Sequence, residues 1–389
     1  MKLAFLTDAI YPYHHGGKET LQHERAIRLA RRGHSVRLHT MHWWREPMPE
    51  IVQNGVALHA IAPRVRLYTR QGRRSIWQSL VFGIASFRLL WAAPFDILDV
   101  DQFPFTQFFA ARLVCRQRGR PLTATWYEVW DREYWRSYMG RLGGLGFFLQ
   151  GFAARSADRI FADSRLTARR LTEWLGVEAQ RVIVLSPGIE PDAPRSPLVF
   201  PGSGSQKTVD CIFVGRLLPH KNVDVMLHAL AQLRGVTGMI IGSGPAKDRL
   251  IALSKQLGLE DRVTFVSAAD QQAVRQHLQQ SRLLVFPSTR EGFGVAVLEA
   301  NAAGVPALVI QHPDNAAIEL TTDGVNGLIC DLDPETMAKK IHQFLGDEAA
   351  QHRMAAAAVA SAARHSWDAY VNRMEASLME LTGVLENAA

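Results

Sequence analysis

The residues with the most chemistry to offer lie at 281–309, SRLLVFPSTREGFGVAVLEANAAGVPALV, where an apolar run stops at Pro287 and a loop then delivers Glu291. Gly292 and Gly294 free the backbone, a helix is expected from about Val295, and Glu299 falls in its second turn. Exposed amides at such a helix start can hold a phosphate, and glycine lets the phosphate approach closely. Eight positions separate the glutamates, about two helical turns, so they can reach different parts of one ligand. Taken alone, the motif also reads as a surface loop with a glutamate favoured by the helix dipole. Gly16 and Gly17 follow the first apolar run, where missing side chains permit backbone approach to a phosphate or acceptor, or simply make a turn. His14, His15 and Glu19 flank them, but two adjacent histidines with no third ligand are a poor zinc site. Asp99-Val100-Asp101 closes the apolar run FDILDV and would present both carboxylates on one strand face. A polar pair in a turn or loop is the favoured reading, and no divalent metal is expected.

These residues need a scaffold. Short β-branched runs alternate with helical patterns in the first half, at Leu3–Thr7, Ser35–Thr40, Ala57–Ile61, Ile97–Val100, Leu122–Trp126, Arg159–Ala162 and Val182–Leu185. Such alternation predicts a parallel sheet built from βαβ units. A Pro/Gly/Ser-rich stretch follows Pro187, and the pattern restarts with strands at 210–215, 238–242, 263–266, 282–287, 306–310 and 327–330. Two Rossmann-like, doubly wound α/β domains facing a cleft are expected, with ligands beyond the carboxyl ends of the strands. The domains are placed at 1–190 and 208–365, with a linker at 191–207 and a C-terminal helix at 366–389 packing back toward the first domain.

Composition bounds the rest. The chain has 389 residues, 47% hydrophobic and 21% charged, as in folded two-domain proteins. Three widely spaced cysteines, Cys115, Cys211 and Cys330, support neither a disulfide framework nor a cysteine-rich metal site. The longest uncharged apolar stretch, 75–87, is well short of the ~20 residues that cross a bilayer. Residues 1–195 hold 28 Lys+Arg against 17 Asp+Glu, an excess of +11, whereas 196–389 carry −4. This asymmetry suggests an anionic partner for the first half, although a merely solvated arginine-rich face reads the same way.

Glu291-Gly-Phe-Gly, four further residues and Glu299, followed by Ala303-Gly304-Val305-Pro306, resembles the EX7E motif of family 4 retaining glycosyltransferases, which have the two-domain GT-B fold. FVGRLLPHKNVDVMLHAL (213–230) resembles that family's phosphate segment, IIGSGPAKDRL (240–250) its second glycine turn, and YPYHHGGKET (11–20) its N-terminal glycine loop. The resemblance implies that Glu291 sits by the donor sugar and Glu299 holds the nucleotide ribose. It implies that Arg216 and Lys221 neutralise the leaving diphosphate, chemistry that fixed cations can supply without a metal. Gly16, Gly17, Gly215, Gly242, Gly244, Gly292, Phe293, Gly294 and Val295 complete the implied donor-binding set. Many family members carry a histidine where this chain has Tyr127 before Glu128. Tyrosine can donate one hydrogen bond to a sugar or phosphate but is no cation near neutral pH.

Tyr127, Glu128 and Trp130 are the expected acceptor or sugar contacts, within an aromatic cluster reaching Tyr138 that offers faces on which sugars stack. Residues 64–95 combine five arginines before Ser75 with Trp77, Leu80, Ile84, Phe87 and Trp91 at helical spacing. They read either as an interfacial helix beside a basic patch for an anionic membrane or as a buried helix with a basic loop. The expectation is therefore a cytoplasmic enzyme, peripheral at the inner face of the cell membrane. It would be retaining and metal-independent, use a UDP- or GDP-sugar donor and no cofactor, and act on a lipid-linked or glycan acceptor. A soluble small-molecule acceptor, a sugar-nucleotide epimerase and a non-enzymatic basic binding module are the rival readings. Nucleic acid is not expected, since no recognition motif accompanies the basic residues.

Overall fold

The computed structural model describes residues 1–14, 16–69, 74–190, 209–267 and 271–383. The expected linker at 191–207, together with His15, Arg70, Arg73 and Ala268, lies outside the described residues. The chain divides into two compact units, Met1–Pro187 with Trp367–Ala389, and Gly188–Ser366.

In the first unit, strands β1 (Lys2–Leu6), β2 (Ser35–Met41), β3 (Glu50–Gln53), β4 (Val56–Ala62), β5 (Ile97–Asp101), β6 (Leu122–Trp126), β7 (Arg159–Ala162) and β8 (Val182–Val184) form one sheet. Their order is β3-β4-β2-β1-β5-β6-β7-β8. Only β3 runs antiparallel to its neighbour. The helices are α1 (Gly17–Arg31), α2 (Ile76–Ala85), α3 (Gln107–Arg118), α4 (Arg132–Met139), α5 (Gly143–Ser156) and α6 (Arg165–Glu173). Central strands such as β5 are buried along their whole length, as a parallel sheet covered on both faces requires.

The second unit is an all-parallel sheet of β9 (Val209–Val214), β10 (Gly238–Ile241), β11 (Val263–Val266), β12 (Ser281–Phe286), β13 (Ala307–Ile310) and β14 (Gly327–Cys330). Its order is β11-β10-β9-β12-β13-β14. Helices α7 (Val223–Ala231), α8 (Lys247–Gln256), α9 (Gln271–Gln279), α10 (Val295–Ala302), α11 (Pro334–Gly346) and α12 (Glu348–Ala362) complete the βα alternation. The chain order reverses at β1/β5 in one sheet and at β9/β12 in the other. Ligands of doubly wound sheets bind at such switch points.

The last helix, α13 (Trp367–Thr382), belongs to the first unit. It buries Trp367, Tyr370, Val371, Met374 and Leu378. Glu375 accepts from Arg32 at 2.8 Å and lies 2.6 Å from His34.

Several expectations change. Asp99 and Asp101 form no loop pair: both are buried in β5, on the face that Arg25 of α1 occupies. The helix expected from the spacing of Trp77 to Trp91 is α2 followed by a 3₁₀ segment at Ser86–Trp91, where Ser86 Oγ donates back to the Phe82 carbonyl. Of the arginines before Ser75, Arg74 turns inward to pair with Asp8 at 2.9 Å. The aromatic cluster is partly core: Trp126 and Trp135 are buried, and the half-buried Trp130 packs among Phe103, Phe105, Tyr134 and Trp135. The buried rings of Trp126 and Trp135 are not open platforms for a sugar.

Candidate active site

In the second unit the chemistry gathers where β9 and β12 end. Asn222 builds the junction. It adopts a left-handed conformation (φ 48°), and its side-chain amide donates to the carbonyls of His220 and Pro287, both at 3.1 Å. The Thr289 amide returns a bond to the His220 carbonyl at 3.1 Å. The loops after β9 and β12 are thereby stitched together, which sets Lys221 against Glu291 in a direct ion pair. Lys221 also lies 5.1 Å from the Phe286 ring centre. Burial, and then the charges of Arg290, Lys221 and Arg216, push the His220 imidazole down to about 3. His220 is thus neutral at physiological pH, and three cations share its surroundings. Fixed cations of this kind at a switch point make an anion site.

Helix α10 starts beside this cluster at Gly294 (φ 98°), where no side chain caps it. A Cβ at Gly294 would stand 2.6 Å from that of Ala317, so both conformation and space demand glycine there. The Glu291 amide donates to the Asp314 carbonyl at 3.0 Å, which fixes the loop before the helix. Phe293 is buried and packs edge-on against His365, 5.8 Å between ring centres, so its backbone and not its ring is what a ligand could meet. Val295 is partly buried at the first position of α10.

Gly242 and Gly244 also have a reason within the fold itself. A Cβ at Gly242 would lie 1.9 Å from the Gly215 carbonyl oxygen, and one at Gly244 2.4 Å from that of Leu217. The loops after β9 and β10 touch backbone to backbone, with Leu217 N–H donating to the Ser243 carbonyl at 2.9 Å. That contact alone requires both glycines.

Glu299, in the second turn of α10, meets groups of α9. Burial pushes its carboxyl up to about 7 from an ordinary 4.5, and a hydrogen bond from Gln271 and the nearby Arg275, both on α9, offset this only in part. Between those two pH values the folded chain holds a proton that the unfolded chain has released. Stability therefore falls as pH rises through this window. Glu299→Gln should leave the melting temperature almost unchanged near pH 5 and raise it near pH 8, by up to about 3 kcal/mol of stability. Thermal melts at the two pH values check this, and equal effects at both would remove the shifted carboxyl.

In the first unit a second polar cluster occupies the β1/β5 switch point. Asp8, just after β1, is fully buried and receives Lys18 at 2.7 Å, Arg74 at 2.9 Å and Gln78 at 3.0 Å. Burial favours its neutral form, but Arg74 and Lys18 outweigh that and hold the carboxyl below its usual range. Lys18 reaches Asp101 at 3.3 Å, and Tyr127 donates its hydroxyl proton to Asp101 at 2.6 Å. The one proton that Tyr127 was expected to offer a ligand is thus already given. Glu128 and Trp130 are partly buried beside it, their amides held by Gln102 at 3.0 Å and Gln150 at 3.1 Å.

At the start of α1, a Cβ on Gly16 would meet Glu19 Oε2 at 2.5 Å. A carboxylate already folds over the turn of Gly16 and Gly17, where a phosphate was expected. His14 is pushed down to about 4, chiefly by burial, so it brings no positive charge near neutral pH. Among the described residues no group of three or more His, Cys, Asp or Glu could hold a metal ion. Asp8, Lys18, Asn222 and Arg290 escaped the sequence reading. Polar residues just past apolar strands were the available signal for Asp8 and Lys18.

Comparison with known proteins fits this arrangement. Residues 15–193 match the model of "Glycosyltransferase Family 4" and residues 200–360 that of "Glycosyl transferases group 1". A D-inositol 3-phosphate glycosyltransferase of Nocardia farcinica is 30% identical over 334 residues, 71% of this chain and 71% of that one. The chain is a family 4, group 1 glycosyltransferase. The glycosyltransferase is also 32% identical over 235 residues to a D-inositol 3-phosphate glycosyltransferase of Mycolicibacterium smegmatis. That match takes in 57% of this chain and about half, 52%, of its relative. The crystal structure of Anabaena HepE in complex with UDP-glucose superposes on the glycosyltransferase with a TM-score of 0.75 at 18% identity, covering 98% of this chain and all of HepE (100%). That likeness establishes the fold, two Rossmann-like α/β units of the GT-B type.

Proposed function

We propose that this glycosyltransferase moves a sugar, with retention of anomeric configuration and without a metal ion, from a UDP- or GDP-sugar to a hydroxyl of a lipid-linked or glycan acceptor at the cytoplasmic face of a membrane. The observation that carries the reading is the convergence of Arg216, Lys221 and Arg290 around His220, with Glu291 paired to Lys221. A departing nucleoside diphosphate develops negative charge on its β-phosphate. Cations held by stitched loops can stabilise it without reorganising. The uncapped start of α10 offers amides to the same phosphates, and Glu299 is assigned the ribose. The acceptor hydroxyl is assigned to the first unit, near Asp8, Lys18 and Asp101. Attack on the face that the diphosphate leaves, with a leaving-group oxygen taking the proton, gives retention without an enzymic nucleophile.

Transfer should continue undiminished in excess EDTA, and the product should keep the donor's anomeric configuration by NMR. An inverted product, or activity restored only by a divalent cation, would falsify this mechanism.

A second reading has its own support. The relatives are named for D-inositol 3-phosphate, a small phosphorylated polyol. Arg74 Nη1 is buried beside Asp8 without a hydrogen-bond partner among the described residues, and could meet a phosphate. A panel of phosphorylated polyols and lipid-linked sugars, assayed with one donor, separates the two acceptor classes.

A further inference from the structure

The helices of the first unit leave an unusual surface uncovered. Helix α2, the segment Ser86–Trp91, α3 and α5 lie side by side: Thr106, before α3, donates to the Ser79 carbonyl of α2 at 2.6 Å, and Phe109 of α3 stacks on Phe152 of α5 at 4.4 Å. Their inner faces bury Phe82, Leu89, Phe108 and Ala153 in the core. A surface helix normally turns charged residues outward. Here the outward positions are Trp77 (67% exposed), Ile84 (72%), Trp91 (80%), Phe109, Leu145 and Phe148. Apolar side chains at this density mark an interaction surface.

Charge says what covers it. These segments contain no Asp or Glu. Arg116 and Arg141 stand exposed among the apolar side chains, while Arg88, also exposed, donates to the Ile61 carbonyl at 2.7 Å. A second copy docking across a two-fold axis would bring this basic face against itself. An anionic bilayer instead accepts the aromatic and aliphatic groups at headgroup depth while its phosphates meet the guanidinium groups.

We propose that the face formed by α2, Ser86–Trp91, α3 and α5 seats this chain on an anionic membrane, with Trp77 and Trp91 at the interface. The proposal rests on the membrane-held acceptor for its purpose, not for its measurement. The same α2 presents Gln78 inward to Asp8 at 3.0 Å. One helix diameter, about 10 Å, therefore separates the lipid-facing side chains from the polar cluster assigned to the acceptor. An acceptor anchored in that membrane would need to rise no further than this.

The test is co-sedimentation of the full chain, without donor or acceptor, with phosphatidylcholine vesicles containing or lacking phosphatidylglycerol. Binding should require phosphatidylglycerol and weaken with salt. Trp77→Ser with Ile84→Ser and Phe148→Ser should lower it about tenfold or more, and Arg116→Glu with Arg141→Glu should remove most of the anionic preference. Melting temperature and UDP affinity should be unaltered in both variants. Failure of UDP to bind any form would count against the donor reading and leave the docking result standing. Equal binding to both vesicles, no binding to either, or a dimer that the Trp77 variant converts to monomer would each overturn the docking face.

Discussion

Lys221→Ala should weaken binding of the free nucleoside diphosphate by about 10- to 100-fold, the equivalent of one charge-assisted hydrogen bond of about 1.5–3 kcal/mol. The loss in turnover should be larger, because charge on the leaving phosphate grows in the transition state. Isothermal titration with UDP and GDP measures the first effect and initial rates the second. The variant also leaves Glu291, only 13% exposed at its side chain, without its cation, so some stability should be lost as well. Adding Glu291→Gln should restore that stability but not the affinity, which separates a folding defect from a binding one. Unchanged affinity in a folded Lys221→Ala protein would remove the lysine from the donor site.

Arg25→Met should destabilise the first unit by about 3–5 kcal/mol, the cost of removing one partner from a buried charge network. Arg25 is fully buried, 2.7 Å from Asp99 and 3.7 Å from Asp101, and bonds to Thr125 and Gln22. Met keeps much of the volume but leaves two carboxylates facing a gap. Asp101 retains Lys18 and Tyr127, whereas Asp99 keeps only the hydroxyls of Thr123 and Thr125 among the bonds described. Asp99→Asn in the Arg25→Met background should therefore recover part of the loss. Urea unfolding followed by circular dichroism reads both steps, and a loss below about 1 kcal/mol would place this cluster among ordinary surface pairs.

How far the sequence foretold this depends on the range of the interaction. Strand bounds expected from the sequence lie within a residue or two of those observed because burial periodicity is local, and β6, β7, β11 and β14 match to the residue, whereas the apolar helix expected to run on to Trp91 ends at Ala85. Strand β3 was passed over although Asn54-Gly55 marks a two-residue hairpin: both have positive φ, 52° and 80°, and EIVQ on one side was too short to read as a strand. The motif glutamate Glu291 and the cation Lys221 were legible as types. Their pairing was not, because it depends on Asn222 reaching across 65 positions to Pro287. Gly242 and Gly244 show the converse. Their identity was noticed, but its cause, a backbone contact with Gly215 and Leu217, is tertiary. Asp99 and Asp101 were misread because no local pattern announces that a helical arginine will be buried against a strand.

The placement of α13 makes the second unit an insertion within the first. Residues 188–366 leave and rejoin the first unit at neighbouring points, since Ile189 pairs with Ser366 and its amide donates to the His365 carbonyl at 2.8 Å. The first unit cannot bury the α1 surface that Trp367, Tyr370 and Met374 cover until synthesis has passed residue 374. All of the second unit has been made by then. Domains usually complete in chain order during synthesis, but here the unit that begins first must finish last, and a released chain ending at residue 366 should hold a folded second unit together with an incomplete first one.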